Sequence, residues 1–292
     1  MGEQAVSAVH AITEARIFHD GTVTEPRLLH PESVAVASDG AIWCGGELGH
    51  LYRLSEDGSE LREVACTGGF ILGIAFDTQG RLYACDLKHG CVFRYDPAAD
   101  DLTRFASGDG QRAISIPNWP VVDAARNVLY VSDSHKPTES GPGIWRFDLD
   151  SGEGTLWFDH DLTFANGMAL APDGQSLLVA ETFGRRITRI PIEADRRAGN
   201  AETVVETPGV LPDGLAFDGE GNLYIACYEP SRILRLRDGV LELFLDDPEA
   251  HTLCHPTNCA FRGSELLIAN LGRWHITSLR TDATGLPLPI GG

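Results

Sequence analysis

Residues 211–227 read LPDGLAFDGEGNLYIAC: an apolar run, a Gly-rich polar turn, and a second apolar run of β-branched and aromatic residues. That composition and turn chemistry describe a short β-hairpin. The same phrase occurs six times. PESVAVASDGAIWC begins at Pro31, ILGIAFDTQGRLYAC at Ile71, PNWPVVDAARNVLYVSD at Pro117, ANGMALAPDGQSLLVAE at Ala165 and PTNCAFRGSELLIAN at Pro256. Stacking the copies aligns Glu32, Leu72, Asn118, Asn166, Asp213 and Thr257, which lie 40, 46, 48, 47 and 44 residues apart. A period in this range with several strands per unit is the signature of a β-propeller.

Each unit holds more than the hairpin. After Leu223–Cys227 come RILRLRDG and LELFLDD, two further strand-like runs. Asp39-Gly40, Asp57-Gly58, Asp173-Gly174 and Asp238-Gly239 supply hairpin turns. The expectation is an all-β fold: a six-bladed propeller with four-stranded antiparallel blades. The stretch EARIFH (Glu14–His19) is placed as the outer strand of the last blade, a closure that protects sheet edges. No linker or composition shift divides the chain, so residues 1–292 are read as one domain, with residues 1–12 loosely held.

The bulk numbers restrict the function. With 42 acidic against 23 basic residues the chain carries a net charge of −19 and no basic cluster, which argues against nucleic-acid and anionic-membrane partners. The seven cysteines form neither a disulfide framework nor a zinc-ribbon spacing, which fits a reducing, cytoplasmic setting. The N-terminus lacks the pattern of a signal peptide, and no apolar run reaches membrane-spanning length. There is no G-x-S-x-G elbow, H-E-x-x-H or P-loop. Asp218-x-Glu220-x-Asn222 has a faint calcium-loop look but falls on the recurring turn.

The aligned column is where chemistry concentrates. The innermost strand of a propeller blade runs along the channel, so the residue opening it faces the channel mouth. Glu32 and Asp213 bring carboxylates there, and Asn118 and Asn166 bring carboxamides. Two carboxylates balance one divalent cation, and every donor is a hard oxygen. That favours Ca²⁺, then Mg²⁺ or Mn²⁺, with Zn²⁺ last because the column holds no His or Cys. Asn166-Gly167 and Asp213-Gly214 also read as ordinary turn dipeptides, whereas Glu32-Ser33 and Asn118-Trp119 do not. The far end of each hairpin returns to the same mouth and forms a second column: Gly46, Asp86, Asp133, Glu181, Cys227 and Asn270. Asp133 and Glu181 are candidate substrate contacts there. So are Asn118, Trp119 as an aromatic wall, and His135 in the insertion SHKPTESGPG (Ser134–Gly143).

The stretches PESVAVASDG, FANGMALAPDG and LPDGLAFDGEGNLYIACY followed by RILRL resemble the regucalcin (senescence marker protein) and gluconolactonase family, six-bladed propellers that act as metal-dependent lactonases. The resemblance covers all six copies. It implies that Glu32, Asn166 and Asp213 bind the metal, that Asp213 doubles as general base, and that Asn118 contacts metal or substrate. One departure stands out. Where the sugar-lactonase branch has Arg-Pro-Asn-Asp, this chain has Ile116-Pro117-Asn118-Trp119, which points to a less polar substrate than a sugar lactone. FANGMALAPDG with LLVAETFGRRITR also resembles the strictosidine-synthase-like branch. The expected activity is hydrolysis of a small lactone or ester at one divalent cation. A phosphotriesterase-like hydrolase with the same metal site and a non-catalytic calcium- or partner-binding propeller are the alternatives.

Overall fold

The computed structural model describes residues 7–287, and these build six four-stranded antiparallel sheets. The innermost strands are Ser33–Val36, Ile71–Phe76, Pro117–Asp123, Ala165–Leu170, Leu211–Phe217 and Pro256–Arg262. From each of them the chain meanders outward strand by strand. Each innermost strand contacts the innermost strand of the blade on either side, and the sixth contacts the first, so the ring is closed. The outer strand of the sixth blade is Arg16–Asp20, paired antiparallel with His275–Arg280. This is the closure expected from EARIFH. Of the segment 1–12, expected to be loosely held, residues 1–6 lie outside the described residues. Val9 and His10 donate backbone N–H bonds to Leu243 and Phe244 at 2.9 and 3.0 Å. Among the described residues no helix is long and apolar enough to cross a membrane.

The second strand of each blade explains why the recurring phrase is so apolar. In Leu223–Glu229, successive side chains point to opposite faces of the sheet. Leu223, Ile225 and Cys227 join the core shared with blade four, while Tyr224 and Ala226 join the core shared with blade six. Both faces are buried, so alternation of apolar and polar residues disappears. Each of the six interblade seams has such a cluster. Each fully buried Leu or Ile contributes about 1.5–3 kcal/mol relative to exposure, so the seams carry the ring.

The hairpin turns at the far end from the column are braced by acids. Asp218 Oδ1 accepts the backbone N–H of Glu220 (3.0 Å) and Asn222 (2.9 Å), and Oδ2 accepts Asn222 Nδ2 at 2.7 Å. Gly221 sits at φ +87°, a conformation that glycine takes without strain. Asp218-x-Glu220-x-Asn222 is therefore a turn brace, as its place in the repeat implies.

Candidate active site at the channel mouth

Five innermost strands break register at the aligned column. The ladder skips between Ile71 and Ile74, Pro117 and Pro120, Ala165 and Met168, Pro212 and Leu215, and Pro256 and Asn258. Leu72, Asn118, Asn166, Asp213 and Thr257 each fall inside such a bulge. A bulge frees a residue from the ladder and re-aims its side chain. In blade one, Glu32 sits just ahead of the strand, with its N–H donated to Gly45 O at 3.1 Å. All six column residues are buried. Asn166-Gly167 and Asp213-Gly214 thus lie within strands, not at hairpin tips. Their glycines serve close approach: a Cβ on Gly214 would lie 2.6 Å from Thr257 O, and one on Gly167 would collide with Asp213 O.

Hydroxyl groups fix the two amides. Asn118 Nδ2 donates to Ser134 Oγ (2.9 Å), which donates to Ala165 O (2.7 Å). Asn166 Nδ2 donates to Thr182 Oγ1 (3.0 Å), which donates to Pro212 O (2.8 Å). Each amide is thus anchored through one N–H on a hydroxyl of its own blade, which in turn reaches the backbone of the next blade. Thr257 Oγ1 completes the ring by donating to Glu32 O at 2.7 Å. Ser134 and Thr182 escaped the sequence reading. Their signal was positional, since each directly follows the second-column acid of its own blade.

The oxygens left over are the decisive feature. Glu32 Oε2 and Asn166 Oδ1 are buried with no hydrogen-bond partner among the described residues. Leaving such groups unpaired costs about 1–3 kcal/mol each, more when charged. Burial, and then the negative charge of Asp213, push the Glu32 carboxyl well above the usual carboxylate range. Burial likewise pushes Asp213 well up, against the lowering influence of the Asn166 amide. Two adjacent buried carboxylates and one orphaned amide oxygen fit a hard divalent cation, which would satisfy the oxygens and balance the charge. Glu32, Asn118, Asn166 and Asp213 are the residues able to hold it.

The second column behaves differently. Asp133 accepts four donors: Ser115 N (2.9 Å), Ile116 N (2.9 Å), His135 N (3.0 Å) and Trp145 Nε1 (3.2 Å). Glu181 accepts Thr163 N (2.7 Å), Arg186 Nε (2.7 Å), Arg186 Nη2 (2.8 Å) and the Thr188 hydroxyl. Burial would raise its pKa, but the Arg186 guanidinium and the other donors outweigh that and hold Glu181 below the ordinary value. Asn270 Oδ1 accepts Cys254 N at 2.9 Å. Each brace ties down the loop that leads into the innermost strand of its own blade, and so positions the column.

Trp119 is buried in the seam between blades three and four, beside Met168, and its ring also borders the apolar lower channel. His135 lies on the rim insertion at φ +57°, partly exposed, with Nε2 3.9 Å from Glu139 Oε2. An aromatic pair that the sequence reading did not single out stands beside the Asn166–Thr182 relay. Phe164 and Phe183 have ring centroids 4.9 Å apart, and Phe183 is 44% exposed. Tyr228 is also near, since the charges of Glu32 and Asp213 add to the effect of burial in raising its hydroxyl pKa.

Residues 72–271 match the SMP-30/Gluconolactonase/LRE-like region. The chain belongs to that family. Among its relatives, the adipocyte plasma membrane-associated protein of Salmo salar is 27% identical over 69% of this chain; the chain spans 54% of that protein's length. Protein STRICTOSIDINE SYNTHASE-LIKE 6 of Arabidopsis thaliana is 28% identical, covering 88% of this chain and 80% of its own. The 6-deoxy-6-sulfogluconolactonase of Pseudomonas putida is 33% identical over 45% of each chain. Two solved folds are close. A gluconolactonase from Xanthomonas campestris superposes with TM-score 0.75 at 20% identity, covering 94% of this chain and 89% of its own. The calcium-binding regucalcin of Agrobacterium tumefaciens gives 0.73 at 19% identity, covering 91% and 94%. At these identities the structural likeness of this SMP-30/gluconolactonase family member concerns the fold alone.

Proposed function

We propose that this propeller is a divalent-metal-dependent hydrolase that opens lactones less polar than sugar lactones. The observation that carries the reading is the pair of partnerless buried oxygens, Glu32 Oε2 and Asn166 Oδ1, beside the Asp213 carboxylate. Glu32, Asn118, Asn166 and Asp213 would hold the cation, with Ca²⁺ favoured by the all-oxygen donor set. When bound, such an ion polarises an ester carbonyl as a Lewis acid. The chain supplies the rest. Asn118 and Asn166 carry carboxamides that neither gain nor lose a proton near neutral pH, so the proton of the attacking water goes to a carboxylate, and Asp213 is the one flanked by Asn166. The Ser134 and Thr182 relays hold the two amides in place throughout. Lactonase relatives support the reaction class. The aliphatic Ile116 and the Phe164–Phe183 pair support an apolar acyl or ring substituent.

The test is a pH-stat panel of aliphatic, aromatic and sugar lactones, with a phosphotriester alongside, on metal-analysed protein with and without a chelator. Metal-dependent opening of the apolar lactones supports the proposal. Turnover of the phosphotriester alone would favour the phosphotriesterase reading. Equal lactone turnover by wild type and Asp213→Asn would overturn the mechanism.

A further inference from the structure

A second cluster of metal-binding side chains lies away from the channel, on the two outer strands of blade one. Strand His50–Leu54 pairs with Leu61–Cys66 so that His50 faces Cys66 and Leu51 faces Ala65; the register then slips and Tyr52 faces Glu63. In a regular strand residues 63 and 66 would point to opposite faces. The extra residue at Val64 puts Glu63 on the face of Cys66 and His50. The His50 nitrogen, the Cys66 sulfur and a Glu63 oxygen all lie within 4.8 Å of one another.

Two observations separate this cluster from a chance surface grouping. First, His50 Nδ1 is buried and makes no hydrogen bond among the described residues, although Glu63 Oε1 is only 3.1 Å away. The two atoms are close but not aligned for donation, so the His50 nitrogen is left without a donor or acceptor beside a carboxylate oxygen. Second, the same slip recurs in blades four and five, where the equivalent pairs are Arg186 opposite Glu206 and Arg232 opposite Asp246. Those blades place a permanent cation opposite an acid at this rim, and Arg232 and Asp246 form an ion pair at 3.1 Å. Blade one has instead an imidazole opposite a thiol, with a carboxylate beside them.

We infer that His50, Glu63 and Cys66 form a binding site for a borderline divalent cation, Zn²⁺ first, with a fourth position open to water. Thiolate, imidazole and carboxylate are the three ligand types that zinc takes in proteins. Ca²⁺ is disfavoured because one carboxylate is the only hard anionic donor. Binding displaces the Cys66 proton to solvent and forms the Zn–S bond with no change of oxidation state. The site joins the two outer strands at the rim, over the buried Tyr52 ring, whose centroid is 5.6 Å from that of His50.

The thiols themselves give the readout. Cys66 is exposed and the other six cysteines are buried, so a maleimide labels Cys66 first. With the full chain in its Asp213→Asn form, to weaken the channel site in the comparison, Zn²⁺ at about ten times its dissociation constant is expected to slow that labelling by about tenfold. A chelator should restore it, and Ca²⁺ should leave it unchanged. His50→Gln and Glu63→Gln should each lose most of the protection. Co²⁺ should give a thiolate charge-transfer band that Cys66→Ser abolishes. Unslowed labelling under excess Zn²⁺ overturns the inference, and so does protection that survives in both His50→Gln and Glu63→Gln.

Discussion

The two side-chain columns at the mouth are built from the same hairpins and both carry buried carboxylates and carboxamides, yet they have opposite electrostatics. Glu181 is buried and every oxygen has a donor, so its carboxyl is held down. Glu32 is buried, has an oxygen with no donor among the described residues, and its carboxyl is driven up. Burial alone therefore does not separate function from architecture; the supply of donors does. One column is finished by the protein itself. The other is left unfinished, which is the physical condition for binding something else.

This contrast can be broken most sharply at Asp213. Asp213→Asn should lower kcat for lactone opening by about 10²–10⁴-fold, the range for losing a general base, with no loss of thermal stability in chelated protein. A destabilised variant with intact kcat would make Asp213 a brace like Glu181. Next comes the relay between the columns. Thr182→Val removes the hydroxyl that holds the Asn166 amide, and should weaken metal affinity about 10–100-fold, as loss of an outer partner does; calorimetric titration measures it.

Glu181→Gln should do the reverse of Asp213→Asn. It weakens charge-assisted hydrogen bonds, each worth about 1.5–3 kcal/mol, and the loss is read from urea denaturation. Because its folded pKa lies below the unfolded value of 4.5, Glu181 stabilises fully above that pH and loses the contribution as pH falls further. Below about pH 4.5 the wild-type urea midpoint should therefore fall more steeply than that of Glu181→Gln, and parallel curves would remove the brace. The smallest effect is expected at the rim. Phe183→Ala should raise KM for aromatic lactones by roughly tenfold, within the range for lost apolar pocket contacts, and leave small lactones unaffected in steady-state kinetics.

The fold was legible because six copies repeat the same solution, and each second strand must satisfy two neighbours at once. LYIAC at 223–227 has no polar position because both faces are seams. The column was legible for the same reason: one position, stacked six times, exposes its oxygens. What the sequence hid depends on pairing between strands. The bulges that free Asn118, Asn166 and Asp213 from the ladder exist only once the register to the next strand is set. Asp133 and Glu181 look like reactive acids until the loops that cap them are in place. Trp119 next to Asn118 reads as a wall of the mouth, and the sequence does not show that its ring is also shared with the seam packed around Met168. His50, Glu63 and Cys66 are brought together by a single slipped register, which no spacing rule contains.

The seam made by Arg16–Asp20 against His275–Arg280 sets a timetable. Five blades can form from neighbouring stretches as the chain emerges, but the sixth must wait for its last strand to meet one made near the start. Loop closure over so long a separation is slow and comes late. The mouth depends on it directly, because Thr257 Oγ1 reaches Glu32 O and Val34 N reaches Asn258 Oδ1 across that same joint. A nascent chain five blades long would thus carry Glu32, Asn166 and Asp213 without the closed frame around them, so the mouth is completed in one step, when the ring locks.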